Sequence, residues 1–402
     1  MNRSNRWVIL FSGVFCNFCV GAIYAWSVFQ KPLLDMFGWQ LSDISLAFTL
    51  QIVMIPLAMI VAGKLQLYYK PRFIMLVGGS MVGVGYIMTG FVDSLTWLYL
   101  GYGVLAGIGG GTIGSCVMTN SMHWFPDKKG VIGGLITSGM GLGAVVWGPV
   151  GNWLVQSVGV LGAFKALGIF YLLVVAVASM IIEKPPLGFN PPSTGRNISS
   201  KAISSRGDKD WRQMLRDPMF YILWSVYFIA MTCGLMLIAH AAQMAQEMAG
   251  ASALAAAMIV GMMSISNTFG RISMGMLSDI VGRWIVLIII FACIAAGMFA
   301  LANSSTTMMF SAMMCLLILC YGGVIGNYPA LVSELFGLKH LGLNYAILVT
   351  GYSVAGFIGP RFTALIREAD GDYSRAFIIG AALGAVGLVL SVAGQLKTRN
   401  NK

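Results

Sequence analysis

Charge is what this sequence is short of. Only 10% of its 402 residues are Asp, Glu, Lys or Arg, while 58% are hydrophobic; a soluble domain carries about 25% charged residues. Such a chain places most of its length in lipid. Acid is scarcer still: there are 14 Asp and Glu residues, and none lies at the centre of an apolar run. The three histidines, His123, His240 and His340, are scattered. The seven cysteines all fall in apolar stretches, and none pairs with a histidine at metal-ligand spacing. They read as small packing residues, with no disulfide, metal or cofactor implied. An enzyme needs a nucleophile–base pair or a metal constellation, and neither is available. The one long hydrophilic stretch, 183–217, is too small for the soluble output domain of a sensor.

What the chain has is apolar length. Runs near 7–29, 44–63, 73–92, 96–119, 131–155, 160–182, 218–241, 252–277, 284–302, 306–332, 344–366 and 376–395 each approach the roughly 20 residues that cross a hydrocarbon core. Fifty glycines and 27 methionines suit close helix approach and pliable packing. The net charge of +11 invites a nucleic-acid reading, but its distribution rejects one. With the N-terminus inside, 19 of the 25 Lys and Arg residues fall on cytoplasmic segments, which orients the chain by the positive-inside rule. The expectation is an all-α protein of the cell inner membrane, with twelve spans, both termini cytoplasmic, and a monomer. Met1–Arg6 and the run after it resemble a signal peptide, but no small-residue cleavage site follows Tyr24–Trp26, so the run is retained as the first span.

Pro185, Pro186, Pro191 and Pro192, followed by Ser and basic residues, make 183–217 a cytoplasmic linker. Its end, 210–217, reads as a short surface helix stopped by Pro218. The expected division is 1–182, 183–217 and 218–402, with six spans on each side. The halves repeat: at an offset of 211, Phe125 matches Phe336, Lys128 matches Lys339, Ala144 matches Ala355, Gly148 matches Gly359 and Pro149 matches Pro360. Two pseudo-symmetric six-helix halves joined by such a linker resemble the major facilitator transporters. That resemblance implies a substrate site near mid-bilayer between the halves and disfavours a channel. Gly275-Met-Leu-Ser-Asp279-Ile-Val-Gly282-Arg283 resembles the family's G-x-L-x-D-x-x-G-R loop, which implies that Asp279 and Arg283 are gate structure and not substrate ligands. The counterpart loop, Gly63 to Arg72, has Leu67 where the aspartate would stand.

Trp124-Phe-Pro-Asp-Lys-Lys-Gly130, followed by Gly134 and Gly139, resembles the signature of the oxalate/formate antiporter family and, more loosely, a motif of the monocarboxylate transporters. Gly21-Ala-Ile-Tyr24-Ala-Trp26-Ser27 and Gly270-Arg271 resemble the same family.

Arg271 alone among the basic residues is deep in a span; Lys165 and Arg361 sit nearer span ends, where long side chains snorkel. A mid-membrane arginine costs roughly 2.5–3.5 kcal/mol on insertion scales. No acid near in sequence neutralises it, whereas a carboxylate substrate would, through two parallel hydrogen bonds. The alternative is an arginine capped by backbone carbonyls or reaching the cytoplasmic side. Asn267, one turn earlier, either orients the guanidinium, binds substrate or bonds another helix. Asn17, Gly21, Tyr24 and Val28 form a stripe by 4-3-4 spacing, which projects Tyr24 into the cavity as a hydroxyl donor. Tyr321 and Tyr328 share a face, as do Tyr345 and Tyr352; one of each pair is a candidate site residue, the other a packing residue or interfacial anchor. In the oxalate transporters this resemblance points to, a lysine follows the pattern N-Y-x-x-x-x-T-x; here Asn344-Tyr345-Ala-Ile-Leu-Val-Thr350-Gly351 leads to Tyr352. One cation balances a monoanion, and a dianion facing it would leave charge uncompensated in low dielectric. The expectation is therefore a transporter of a small monocarboxylate with a proton, such as lactate, pyruvate, glycolate or formate. The alternative is an oxalate/formate-type exchanger. The proton is carried by His240, since histidine titrates in the useful range, or by the substrate itself, with His240 then a structural hydrogen bonder.

Overall fold

In lipid every backbone polar group must be satisfied within the protein, and this chain meets that demand with helices. The computed structural model describes residues 6–186, 208–304 and 306–400, and among them every regular element is helical. The elements are α1 (Arg6–Val20), a 3-10 turn (Gly21–Ala25), α2 (Trp26–Phe37), α3 (Leu41–Leu65), α4 (Pro71–Thr89) and α5 (Leu95–Leu98). A π-helical stretch (Tyr99–Leu105) follows, then α6 (Ala106–Trp124), α7 (Lys129–Ile181), α8 (Trp211–Arg216), α9 (Pro218–Ala249), α10 (Ala253–Val281), α11 (Arg283–Ala302), α12 (Thr307–Phe336), α13 (Leu341–Asp370) and α14 (Ser374–Asn400).

Among the described residues, ten helices are long and apolar enough to cross a membrane. One of them, α7, has 53 residues and breaks at Gly159, where φ is 74° and ψ is 168°. L side chains avoid that conformation, so α7 makes two crossings. The 29-residue α10 is not among the ten; its middle carries Ser264, Ser266, Asn267, Thr268 and Arg271. At about 1.5 Å per residue it still reaches about 43 Å, more than the hydrocarbon core needs. Counting α7 twice and α10 once gives twelve crossings among the described residues.

Several helices outrun their apolar runs: α13 extends to Leu341 and Asp370, and α14 to Ser374 and Asn400. Apolarity marks the thickness of the hydrocarbon, while hydrogen bonding carries a helix on into its polar flanks. The first crossing differs from expectation in kind. It passes through the 3-10 turn Gly21–Ala25 and continues as α2 to Phe37. Pro218 does not merely stop α8; it opens α9 at its first turn, with Asp217 accepting a hydrogen bond from the Met219 amide (2.9 Å) as N-cap.

The chain forms two compact units: Met1–Lys128 with Ile136–Trp211 and Val332–Ile347, and Lys129–Leu135 with Arg212–Leu331 and Leu348–Lys402. Within the first, α3 and α4 pack on α6; within the second, α9 and α11 pack on α14. Glycine sets these distances. A methyl at Gly109 would press on the Gly78 carbonyl, and one at Gly111 would overlap the Ile55 carbonyl, the close backbone approach that small residues permit in membranes. Of the linker, residues 187–207 lie outside the described residues.

Candidate functional site

The most buried cation of the second unit is held by its backbone first. Helix α10 runs between the first turns of α7 and the middle of α12, and both contacts are made through glycine. A methyl at Gly134 of α7 or at Gly326 of α12 would overlap the carbonyl oxygen of Arg271, and one at Gly322 would overlap that of Asn267. Any larger residue at these positions would push α10 away, so the Cα of Arg271 has little freedom. Its side chain is 3% exposed, and Nε donates to Asn267 Oδ1 at 3.1 Å. Of the roles open to Asn267, orienting the guanidinium is the one the geometry displays.

The tyrosines separate. Tyr328 is fully buried, its hydroxyl donates to the Leu223 carbonyl at 2.6 Å and its ring packs on Tyr227 at 4.6 Å. Of the two roles that its spacing with Tyr321 left open, these contacts display packing: its proton bonds α12 to α9. Tyr321 is buried with its ring against Gly234, where a methyl would overlap it. Tyr352 is half-buried. Its neighbours in sequence face α9: the Trp224 indole donates to Thr350 Oγ1 (3.2 Å), and Gly351 meets the same indole. Tyr345 falls in the first unit and Tyr352 in the second.

In the first unit Asn17 is 2% exposed; Nδ2 donates to the Ile136 carbonyl at 3.3 Å, and Oδ1 is buried without a hydrogen-bond partner. The stripe from Asn17 through Tyr24 to Val28 assumed α-helical spacing, and the 3-10 turn at Gly21–Ala25 breaks it, because 3.0 residues per turn shift the register. The side chain of Tyr24 lies outside the described residues.

Asp279 has two kinds of partner, backbone amides and a guanidinium. Its two carboxylate oxygens accept from the amides of Gly130 (3.0 Å) and Val131 (2.9 Å), and it pairs with Arg283. The amides belong to the first turn of α7, whose own N-cap, Lys128, provides no side-chain bond. A carboxylate there satisfies orphan donors and complements the helix dipole. Arg283 also bonds Ser278 Oγ, and its carbonyl accepts from Asn327 Nδ2 at 3.1 Å.

His240 bridges α9 to α13: Nε2 lies 3.0 Å from the Pro360 carbonyl and Nδ1 3.4 Å from Gln243 Oε1. A carbonyl only accepts, so Nε2 carries the hydrogen. Lys165 and Arg361 lie over the rings of Phe91 (3.8 Å) and Phe357 (5.8 Å).

Two long-range ion pairs among the described residues escaped the sequence reading. Arg6 holds Asp127 through both guanidinium termini (3.0 and 3.3 Å) while lying 4.5 Å from the Phe125 ring centroid. Arg367 grips Glu247 at 2.7 and 3.1 Å, joining α13 to α9. Their partners are 121 and 120 residues apart, and no local pattern marks either.

The family model described as Major Facilitator Superfamily matches residues 10–360. The chain is similar to the Uncharacterized MFS-type transporter YhjX of Escherichia coli (strain K12), 29% identical over 356 residues, 88% of this chain and 86% of that protein. It is similar to the Oxalate:formate antiporter of Oxalobacter formigenes, 28% identical over 395 residues, 96% and 91% of the two chains. Monocarboxylate transporter 13 of Rattus norvegicus is 23% identical over 393 residues, 94% and 86%. Among solved structures, the E. coli fucose:proton symporter FucP aligns with a TM-score of 0.70 at 15% identity, over 96% of this chain and 99% of that one. The proton:xylose symporter XylE aligns at 0.73 and 13%, over 97% and 95%. At such identities these two structures speak for the fold alone.

Proposed function

The chain belongs to the Major Facilitator Superfamily, and from that premise we propose a secondary transporter that carries a small monocarboxylate together with a proton by alternating access. The observation that carries the reading is Arg271: a cation 3% exposed within a helix long enough to span the hydrocarbon, its backbone fixed between glycines of two neighbours and its Nε turned by Asn267. A guanidinium so oriented suits the two oxygens of a carboxylate. Tyr352 stands where the resemblance calls for a second cation, which supports a monoanion over a dianion. Asp279 and Arg283 serve as the cytoplasmic latch, and the proton travels on the substrate carboxylate.

Proteoliposome uptake with labelled lactate, pyruvate, glycolate, formate and oxalate tests this. Accumulation of a monoacid, accelerated by an inward proton gradient and collapsed by a protonophore, is the expected result. The similarity to a protein named for oxalate and formate supports a second reading, exchange of organic anions. Uptake that needs an internal counter-anion and ignores the proton gradient would favour it.

A further inference from the structure

The internal repeat poses a question at the start of α13. In the second unit, α7 begins on a carboxylate: Asp279, from the loop after α10, accepts the amides of Gly130 and Val131. The loop after α3, its counterpart, has no carboxylate to offer. Leu67 stands in that place, 39% exposed, and no acid occurs between Asp43 and Asp93. Gly63 instead packs its backbone on Gly342 and Leu343, too closely for a methyl to fit between.

A carboxylate arrives from elsewhere in the chain. The end of the linker lies along 336–344 within the first unit. Asp208 Oδ1 accepts from the Lys339 amide at 3.2 Å, the Lys209 amide donates to the Phe336 carbonyl at 3.0 Å, and Asn344 Nδ2 donates to the Lys209 carbonyl at 2.9 Å. Gly337 has φ 86°, and a methyl there would overlap the Asp208 carboxylate. Glycine is required twice over, for its conformation and for the room it leaves. Lys339 is the repeat partner of Lys128, which immediately precedes α7.

We propose that Asp208 is a positioning residue for the transport cycle: the loop after α3 has lost its carboxylate, and Asp208 supplies one from the linker to the turn that leads into α13, at the Lys339 amide two residues before the helix. The linker is thereby part of the latch and not only a tether. Asp208 is exposed, so its bond exchanges with water at small cost, as a contact that must open and close requires. The proposal rests on the alternating-access reading, but not on which acid is carried.

Hydrogen exchange on the full-length protein in nanodiscs tests it without any substrate. Asp208→Ala should speed exchange across 336–345 by about fivefold, the loss expected of one solvent-exposed hydrogen bond to a carboxylate, and leave 129–135 unchanged. Lys339→Ala keeps the amide and should leave both segments as in wild type. Leu67→Asp, added to Asp208→Ala, should restore protection at 336–345 and, for whichever acid the wild type transports, the transport rate. Wild-type exchange in Asp208→Ala, or equal acceleration in both segments, would overturn the latch. Lys339→Ala reproducing the Asp208→Ala pattern would replace it with a side-chain ion pair. Failure of Leu67→Asp to restore either readout would overturn the substitution of one carboxylate by the other. If no tested acid is transported, the substrate reading fails while the exchange result still stands.

Discussion

The loops that precede α7 and α13 are repeats of one another, yet they are held in different ways. At the first, the α10 loop presents Asp279 to the amides of Gly130 and Val131, and Arg6 grips Asp127 while covering Phe125. At the second, a linker segment presents Asp208 to the Lys339 amide, and Lys209 bonds the Phe336 carbonyl. The matched residues, Phe125 with Phe336 and Lys128 with Lys339, recur, but the backbone between them differs: Gly337 has φ 86° at the position of Pro126, whose ring fixes φ at about −65°. The carboxylates that bond the two loops come from unrelated places in the chain. The same division runs through the rest of the molecule. Gly148-Pro149 and Gly359-Pro360 recur, but Arg271, counted from Gly275, corresponds to Met59, counted from Gly63. The residues recur but their packing does not: a methyl at Gly359 would press on the Thr232 carbonyl, whereas one at Gly148 meets nothing, and the buried Arg271 stands against a methionine in the first unit.

The sharpest way to test that asymmetry is to remove the charge that has no counterpart. Arg271→Gln should lower transport at least about a hundredfold, in line with truncating one partner of a desolvated charge pair, while the protein stays folded in the membrane. Arg271→Lys should fail nearly as badly, because a point charge does not reproduce the planar fork. Uptake measured beside a folding control decides this, and near-normal uptake by a stable Arg271→Gln protein would remove the central claim. Next in size is Asp279→Asn, which keeps an acceptor but loses the charge shared by two amides and Arg283. About a tenfold loss in rate is expected, from one to two charge-assisted hydrogen bonds. Hydrogen exchange should localise the change to 129–135. If Asp279→Asn instead loosens 336–345 as well, the two loops are not independently held.

Arg271 was legible because a charge inside an apolar run needs no partner information to stand out. Asp279 was legible because its loop motif is local, nine residues from Gly275 to Arg283. What was not legible is what depends on contacts across the fold. Nothing in a chain with 50 glycines marks Gly134 and Gly326 as the pair that encloses the Arg271 carbonyl. The seven-residue spacing of Tyr321 and Tyr328 identified a shared face, but spacing does not say what the face meets, and Tyr328 meets Leu223. The 3-10 turn at Gly21–Ala25 was missed because apolar residues satisfy a membrane at either 3.0 or 3.6 residues per turn. Asp208 sits in a polar linker, 131 residues from the amide it binds, where composition suggests only a tether.

A smaller effect should come from Tyr352, the position at which the family resemblance would have a second cation. Tyr352→Lys should move preference from a monoanion toward a dianion by about tenfold. One extra cation a few ångströms from a bound anion is worth about 3 kcal/mol at an effective dielectric near 20, and burying the new ammonium cancels part of it. Competition binding with lactate and oxalate on both proteins measures the shift. Wild type already preferring oxalate would show that a second positive group reaches the substrate. No discrimination by either protein would show that Tyr352 does not face it.

The smallest effect is expected at His240, and it bears on whether the proton needs a site of its own in the second unit. Nε2 donates to the Pro360 carbonyl, so that side of the ring is occupied in every protonation state. Nδ1 faces the Gln243 side chain, whose oxygen accepts from an imidazolium and whose amide group, turned over, donates to the neutral ring. The ring thus bonds α9 to α13 whether or not it carries a charge. Glu247 and Arg367 join the same two helices nearby, and Tyr373 lies 6.2 Å from the imidazole. Such a histidine is a pin between helices more than a carrier. His240→Ala should therefore cost about twofold in rate, the scale of one net hydrogen bond, and keep its response to an inward proton gradient. The measurement is gradient-driven accumulation in His240→Ala proteoliposomes beside downhill uptake in the same vesicles. Loss of accumulation with downhill uptake intact would place the proton on His240 and give the second unit a second charge of its own. Accumulation retained places it on the substrate, where the carboxylate that Arg271 binds would also be the group that brings the proton.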